Sequence, residues 1–305
     1  MTQKVELSSA VVRDIAPGPA DKSVNGLAQR PEHPPLIEEI TPAGAMPIVI
    51  LCDHAGRHVP DDLAQLGLPP EILARHIGWD IGAADVTRRL AERLGAHALL
   101  NHVSRLVVDA NRRPYTPGSM PPVSDDCVIP GNAHLELRQQ QDRLRRFFLP
   151  YHRRVARILS GYVAAGQVPL VIAMHSFTPQ MSGEDRPWHI GVLWRGDRRV
   201  AEPLLAALRA QTGLVIGDNQ PYSGYRGFGY TINFHAQRPH FPHVMFELRQ
   251  DEIATQASAY RYADLLADLM RSMLDDPGLY ALYQGDNLSE SGGLTSWREA
   301  SLISP

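Results

Sequence analysis

MPIVILCDH, residues 46–54, is an apolar run that gives way only at Cys52-Asp53-His54. A surface helix would break such a run with polar residues every third or fourth position. A strand buried on both faces would not, and that is how the central strand of a parallel sheet reads. VPLVIAMHS, residues 168–176, repeats the pattern and also closes on a histidine, His175. Outward from these two runs, Ile81 to Leu94 puts Ala83, Val86, Leu90 and Leu94 on one helical face and Arg88, Arg89 and Glu92 on the other, with Gly95 at the stop. Further strands are expected at 98–103, 105–109, 189–195, 230–235 and 243–248. Helices are expected at 134–164, kinked at Pro150, and at 199–211 and 257–274. Strand and helix alternate with no internal repeat, so the class is α/β with a largely parallel sheet.

The folded domain is expected over 46–284. Residues 1–45 are rich in Pro, Gly, Ala and Ser without a period, and read as an extended or poorly ordered arm. Residues 285–305 read as a similar tail. The net charge of −3 argues against nucleic acid or an anionic membrane as partner. No apolar run approaches the roughly 20 residues of a membrane helix, and no signal-like segment opens the chain. The expected setting is therefore cytoplasmic. Cys52 and Cys127 are too few for a disulfide framework or a thiolate zinc site. A metal, if bound, would be held by histidine and carboxylate.

In open α/β sheets, ligands gather beyond the carboxyl ends of the strands. His54 and His175 stand at two such ends. Either alone reads as a hydrogen-bonded histidine opening a loop; two at equivalent places set a shared metal beside that reading as an alternative. Zinc suits imidazole, whereas magnesium favours oxygen. A catalytic zinc takes about three protein ligands. His58 could join only if its segment were helical, and Pro60 opposes that. Asp80, in GWDIGAAD, is a third ligand or the N-cap of the helix that follows. SRLVVDANRRP gathers Arg105, Asp109, Asn111 and Arg112, either a carboxylate-binding fork or a solvated strand end. Glu247 sits inside an apolar strand, HVMFELRQDE. It must be paired, as with Arg249 or Arg112, metal-bound, or raised in pKa as a general base. The loop over 111–132 is long enough to suggest a functional role. PYSGYRGFGYTI lacks phosphate-loop spacing and reads as a mobile or close-approach loop. Neither G-x-S-x-G nor H-E-x-x-H occurs.

Together VILCDHAGRHVP, HIGWDIGAADVTRRLAERLGA, SRLVVDANR, IAMHSFTP, GYTINFHA and PHVMFELRQDEI resemble the N-formylglutamate amidohydrolase family, in family order over Pro47 to Leu274. GYTINFHA and ELRQDEI look like its broader, less characterised branch. The resemblance implies a three-layer phosphorylase/hydrolase-like fold, a mixed but mostly parallel sheet flanked by helices, distantly similar to zinc carboxypeptidases and aspartoacylase. It further implies His54 and His175 as zinc ligands, Asn111 and Arg112 as a carboxylate clamp helped by Arg105, and Glu247 as the base. Arg57 stands where those relatives carry the glutamate of H-x-x-E, and arginine cannot ligate zinc. Asp80, in a shared block, becomes the preferred third ligand. The implied activity is zinc-dependent cleavage of the amide of a small N-acyl amino acid such as N-formylglutamate. A carboxypeptidase- or aminoacylase-type hydrolase and a non-catalytic small-molecule binder are the alternatives. The partner implied is that small substrate, and self-association of the chain is left open.

Overall fold

In the computed structural model, which describes residues 35–226 and 229–285, the two runs that set the class lie side by side as parallel strands. The main sheet comprises β1 (Ile37–Ile40), β2 (Ile48–Cys52), β3 (His97–Asn101), β4 (Leu170–Phe177), β5 (Ile190–Leu193), β6 (Ile216–Asp218) and β7 (His243–Arg249). Their order across the sheet is β1-β3-β2-β4-β7-β5-β6. The pairs at β1/β3 and β7/β5 are antiparallel and the other four are parallel. The expected mixed, mostly parallel α/β sheet is what forms.

Four longer helices are α1 (Ala83–Leu94), α2 (Leu149–Ala164), α3 (Ala201–Arg209) and α4 (Gln256–Leu274). Side chains alternate along each strand, so each strand feeds two layers. Ile50, Ile172 and Phe246 face α1, α3 and α4, meeting Val86, Leu204 and Leu266. Val49, Leu51, Val171, Ala173 and Met245 face the other way, onto Tyr151, Val155 and Leu159 of α2. The result is the expected three-layer arrangement. Among the described residues no helix is long and apolar enough to cross a membrane.

Several boundaries differ from expectation. Residues 105–109 are a turn, not a strand. Leu106, Val107 and Val108 bury their apolar side chains in a third cluster with Phe147 and Phe148, outside the sheet. Residues 230–235 are helical: Tyr230–Ile232 leads into a π turn over Asn233–Gln237. The β-branched Thr231 and Ile232 look strand-like, but Ile232 and Ala236, four apart, pack together on the α2 side, which is helical spacing. The kink at Pro150 appears as a π turn over Leu144–Phe148, with the Leu149 amide donating to the Leu144 carbonyl. Proline has no N–H for the carbonyl four residues back, so the ladder widens there. The long loop carries a small hairpin, Val123–Ser124 with Cys127–Val128.

The strand Ile37–Ile40 lies within the stretch read as an arm. Glu38 accepts from Arg88 of α1 at 2.8 and 2.7 Å and from His102 at 2.7 Å. Glu39 accepts from Arg154 of α2 and from His97 at 2.9 Å. IEEI shows no alternation, so ion pairs to both helix layers, invisible as a sequence period, hold this strand. The ordered sheet therefore begins before Met46. Residues 1–34 of the arm and 286–305 of the tail lie outside the described residues.

Candidate active site

The period of two that builds the α2-side core runs one step past its apolar residues at three neighbouring strand ends. Val49 and Leu51 lead to Asp53, Val171 and Ala173 to His175, and Met245 to Glu247. Glu247 and His175 are register partners on adjacent parallel strands. Three polar side chains thus stand on one face, above the apolar layer. On the far side of Glu247, Gly191 leaves room for the Gln220 carbonyl, which would lie 2.1 Å from a Cβ at that position.

His54 lies just past β2, and its carbonyl accepts the Asp80 amide at 3.0 Å. That bond sets Asp80 against both histidines. Asp80 Oδ2 lies 2.8 Å from His175 Nδ1 and 3.3 Å from His54 Nδ1. Donor atoms of His54, Asp80 and His175 all fall within 4.8 Å of one another, and all three residues are buried. Ligands of one zinc ion, each at roughly 2.0–2.2 Å, sit about 3–4 Å apart; the two Asp80–histidine separations of 2.8 and 3.3 Å fall near that spacing, and the whole set falls within 4.8 Å. The cap reading of Asp80 fails, because the N-cap of α1 is Gly82 and has no side-chain bond.

The outer nitrogens face other carboxylates. His54 Nε2 lies 2.7 Å from Asp109 Oδ1, and Arg105 donates to Asp109 Oδ2 at 2.9 and 3.2 Å. Arg105 also reaches Asp80 Oδ1 at 3.3 Å. Burial resists charge on Asp109, yet Arg105 and His54 hold its carboxyl far below the usual range. Asp80 is likewise held low against burial, by the two histidines. Burial and Arg105 oppose a proton on His54, but Asp109 and Asp80 outweigh them and raise its pKa. Carboxylates kept ionised around imidazoles form a donor set that fits a divalent cation.

Glu247 differs in kind. It is 6% exposed, and its Oε2 has no hydrogen-bond partner among the described residues. Burial pushes its pKa up to about 7. The alternative in which it pairs with Arg249 or Arg112 does not form: Arg249 bonds to Asp251 and Glu252, while Arg112 lies beside Asp109.

These groups line a cavity of about 380 Å³. Arg112 stands at its wall, 54% exposed, with Asp109 Oδ2 4.0 Å away. Asn111 is fixed on both sides, its Oδ1 accepting the Thr231 amide at 3.0 Å and its Nδ2 lying 3.4 Å from His175 Nε2. Gly229, at φ 93°, makes that packing possible, since a Cβ there would sit 2.4 Å from Asn111 Oδ1. The close-approach reading of the glycine-rich loop holds at this residue. Pro121, Ser124 and Asp125 of the long loop wall the cavity. His58 joins neither the cavity nor the cluster; its backbone bridges to Val103. Arg57 is exposed and lies over the Trp79 ring at 5.7 Å.

The family model for N-formylglutamate amidohydrolase matches residues 46–254. The chain belongs to that family. It is 34% identical to gene product Atu2144 from Agrobacterium tumefaciens, over 78% of this chain and 94% of that one, with a TM-score of 0.75. A second solved structure, the N-formylglutamate amidohydrolase from Ralstonia eutropha JMP134, is 18% identical over 78% of this chain and 97% of that one, with a TM-score of 0.58. At that identity the likeness is one of fold. No curated protein matches the chain in sequence. This member of the amidohydrolase family carries a buried His–Asp–His group suited to a metal, beside a buried glutamate.

Two contributors were not singled out from the sequence. Asp53 follows the period-two pattern of β2 and could have been found by extending it one step. Tyr151, whose hydroxyl donates to Asp53 Oδ1 at 2.8 Å, lies 98 residues away and carries no local signal.

Proposed function

We propose that the protein is a zinc-dependent amidohydrolase that cleaves the amide of a small N-acyl amino acid, N-formyl amino acids such as N-formylglutamate among them. The observation that carries this reading is the free, buried Oε2 of Glu247 beside the His54–Asp80–His175 donor set, in a cavity with an accessible guanidinium on its wall. His54, Asp80 and His175 would hold the ion, which when bound supplies a Lewis acid and lowers the pKa of water. Glu247, with a pKa near neutrality, is suited to proton transfer in both directions. It takes a proton from water as oxygen adds to the acyl carbon, then returns that proton to the departing amine as the C–N bond breaks. The products are a carboxylic acid and the free amino acid. Arg112 receives the substrate carboxylate through its guanidinium fork. Binding energy from that remote group is thereby converted into orientation of the amide.

The test is amine release from a panel of N-formyl and longer N-acyl amino acids and dipeptides, with zinc and with chelator. Zinc-dependent release from an N-acyl amino acid is expected. Cleavage of dipeptides alone would move the assignment to a carboxypeptidase-type reaction. Zinc-loaded protein that releases no amine from any of them would leave a binder.

A further inference from the structure

Asp53 is fully buried, and its two oxygens are treated unequally. Oδ1 accepts the Tyr151 hydroxyl at 2.8 Å. Oδ2 has no hydrogen-bond partner among the described residues, yet lies 3.3 Å from His175 Nε2. A buried carboxylate oxygen left in that state is costly. Its position makes chemical sense when His175 is considered as a ligand, so the inference rests on the metal-centre reading above. His175 Nδ1 lies 2.8 Å from Asp80 Oδ2. For both atoms to face one cation, Nδ1 must carry a lone pair, and the imidazole proton must then sit on Nε2. That proton needs an acceptor. The Asn111 amide nitrogen, 3.4 Å from Nε2, is itself a donor, and the orientation of that amide is fixed by the Thr231 amide on Asn111 Oδ1. Asp53 Oδ2 is the acceptor within reach.

We infer that Asp53, pinned by Tyr151, is a positioning residue that holds His175 in the Nε2–H form and so presents Nδ1 to the metal. The arrangement parallels that at His54, where Asp109 faces Nε2 and Arg105 pins the carboxylate. The two braces differ in what holds them: a guanidinium at one, a neutral phenol at the other.

Asp53→Asn tests this directly. With the Tyr151 hydroxyl still donating to the side-chain oxygen, asparagine turns its NH2 toward His175 Nε2 and selects the form that cannot ligate through Nδ1. Zinc affinity, measured by competition with a chromogenic chelator, should fall about 10- to 100-fold. In zinc-loaded, 15N-histidine-labelled protein, the downfield Nε2–H resonance of His175 should disappear while that of His54 persists. A solely structural Asp53 would move neither reading in a folded variant. Tyr151→Phe, which leaves the carboxylate in place, should lower affinity less and shift the same resonance; it carries the test if Asp53→Asn does not fold. Affinity within twofold of wild type in the folded variant, or no His175 Nε2–H resonance in loaded wild type, overturns the inference alone. Wild type that retains no zinc overturns both this inference and the metal-centre reading.

Discussion

Replacing Glu247 with glutamine should slow turnover by orders of magnitude and stabilise the fold, and the two effects have one origin. Burial raises this carboxyl from 4.5 to about 7. At 1.36 kcal/mol per pH unit, the gap corresponds to roughly 3 kcal/mol. Its sign follows from proton counts. Between the two pKa values the native state binds more protons at this site than the unfolded chain, so stability falls as pH rises. Above about pH 7 the native state bears the whole cost of a buried charge; well below pH 4.5 it bears none. Glutamine keeps the shape without the charge. In chelator-treated protein, urea unfolding should therefore show Glu247→Gln more stable than wild type by up to roughly 3 kcal/mol near pH 8.5, with the gain vanishing near pH 4. Glutamine also cannot accept a proton, so amide hydrolysis should fall by roughly 10²- to 10⁴-fold, equivalent to about 3–5 kcal/mol of barrier. A stability gain equal at both pH values would refute the desolvated-charge argument. A variant keeping more than about a tenth of wild-type turnover would refute the base assignment.

Arg112→Lys keeps the charge but loses the fork, so kcat/KM for carboxylate-bearing substrates should drop about 10- to 100-fold, or roughly 1.5–3 kcal/mol; the carboxamide analogue of the substrate, assayed alongside, should be insensitive to the change. Asp80→Asn should weaken zinc binding by more than about 100-fold, because the neutral amide oxygen is a poor donor to the ion. Direct zinc titration decides: unchanged affinity would leave Asp80 as a buried partner of Arg105 and the histidines and nothing more.

The parts of the site legible in the sequence were those carried by local pattern. His54 and His175 announced themselves as polar residues closing apolar runs, and Glu247 as a charge inside one. Asp80 was ambiguous because the apolar pattern starts the helix at Ile81, and an aspartate directly before a helix can be cap or ligand; the helix begins instead at Ala83 with Gly82 as its cap, and the Asp80 carboxyl lies against both imidazoles. Arg105 was read as a substrate contact, since sequence shows a guanidinium but not its partners. In the fold it lines the cavity while bonded to Asp109 and Asp80. Thr231 and Ile232 misled because β-branching is a weak preference that tertiary packing overrides. The edge strands Ile37–Ile40 and Ile216–Asp218 were missed for want of length, as three or four residues show no period.

The strand clamped at Glu38 and Glu39 has a consequence for aggregation. β3, HALLN, is buried along most of its length, and β1 occupies one of its two hydrogen-bonding edges. A chain trimmed at Met46, where the apolar pattern starts, would bare that edge as a row of unpaired amides and carbonyls beside apolar side chains. Such an edge recruits strands from other copies. It would also remove Glu39 from Arg154 and Glu38 from Arg88, leaving Arg88 its pair with Asp85. The four residues of β1 thus act as a gatekeeper: β1 is itself the edge of the sheet, but a strand of four residues carrying Glu38 and Glu39 is a poorer template for another copy than the longer apolar β3 it covers.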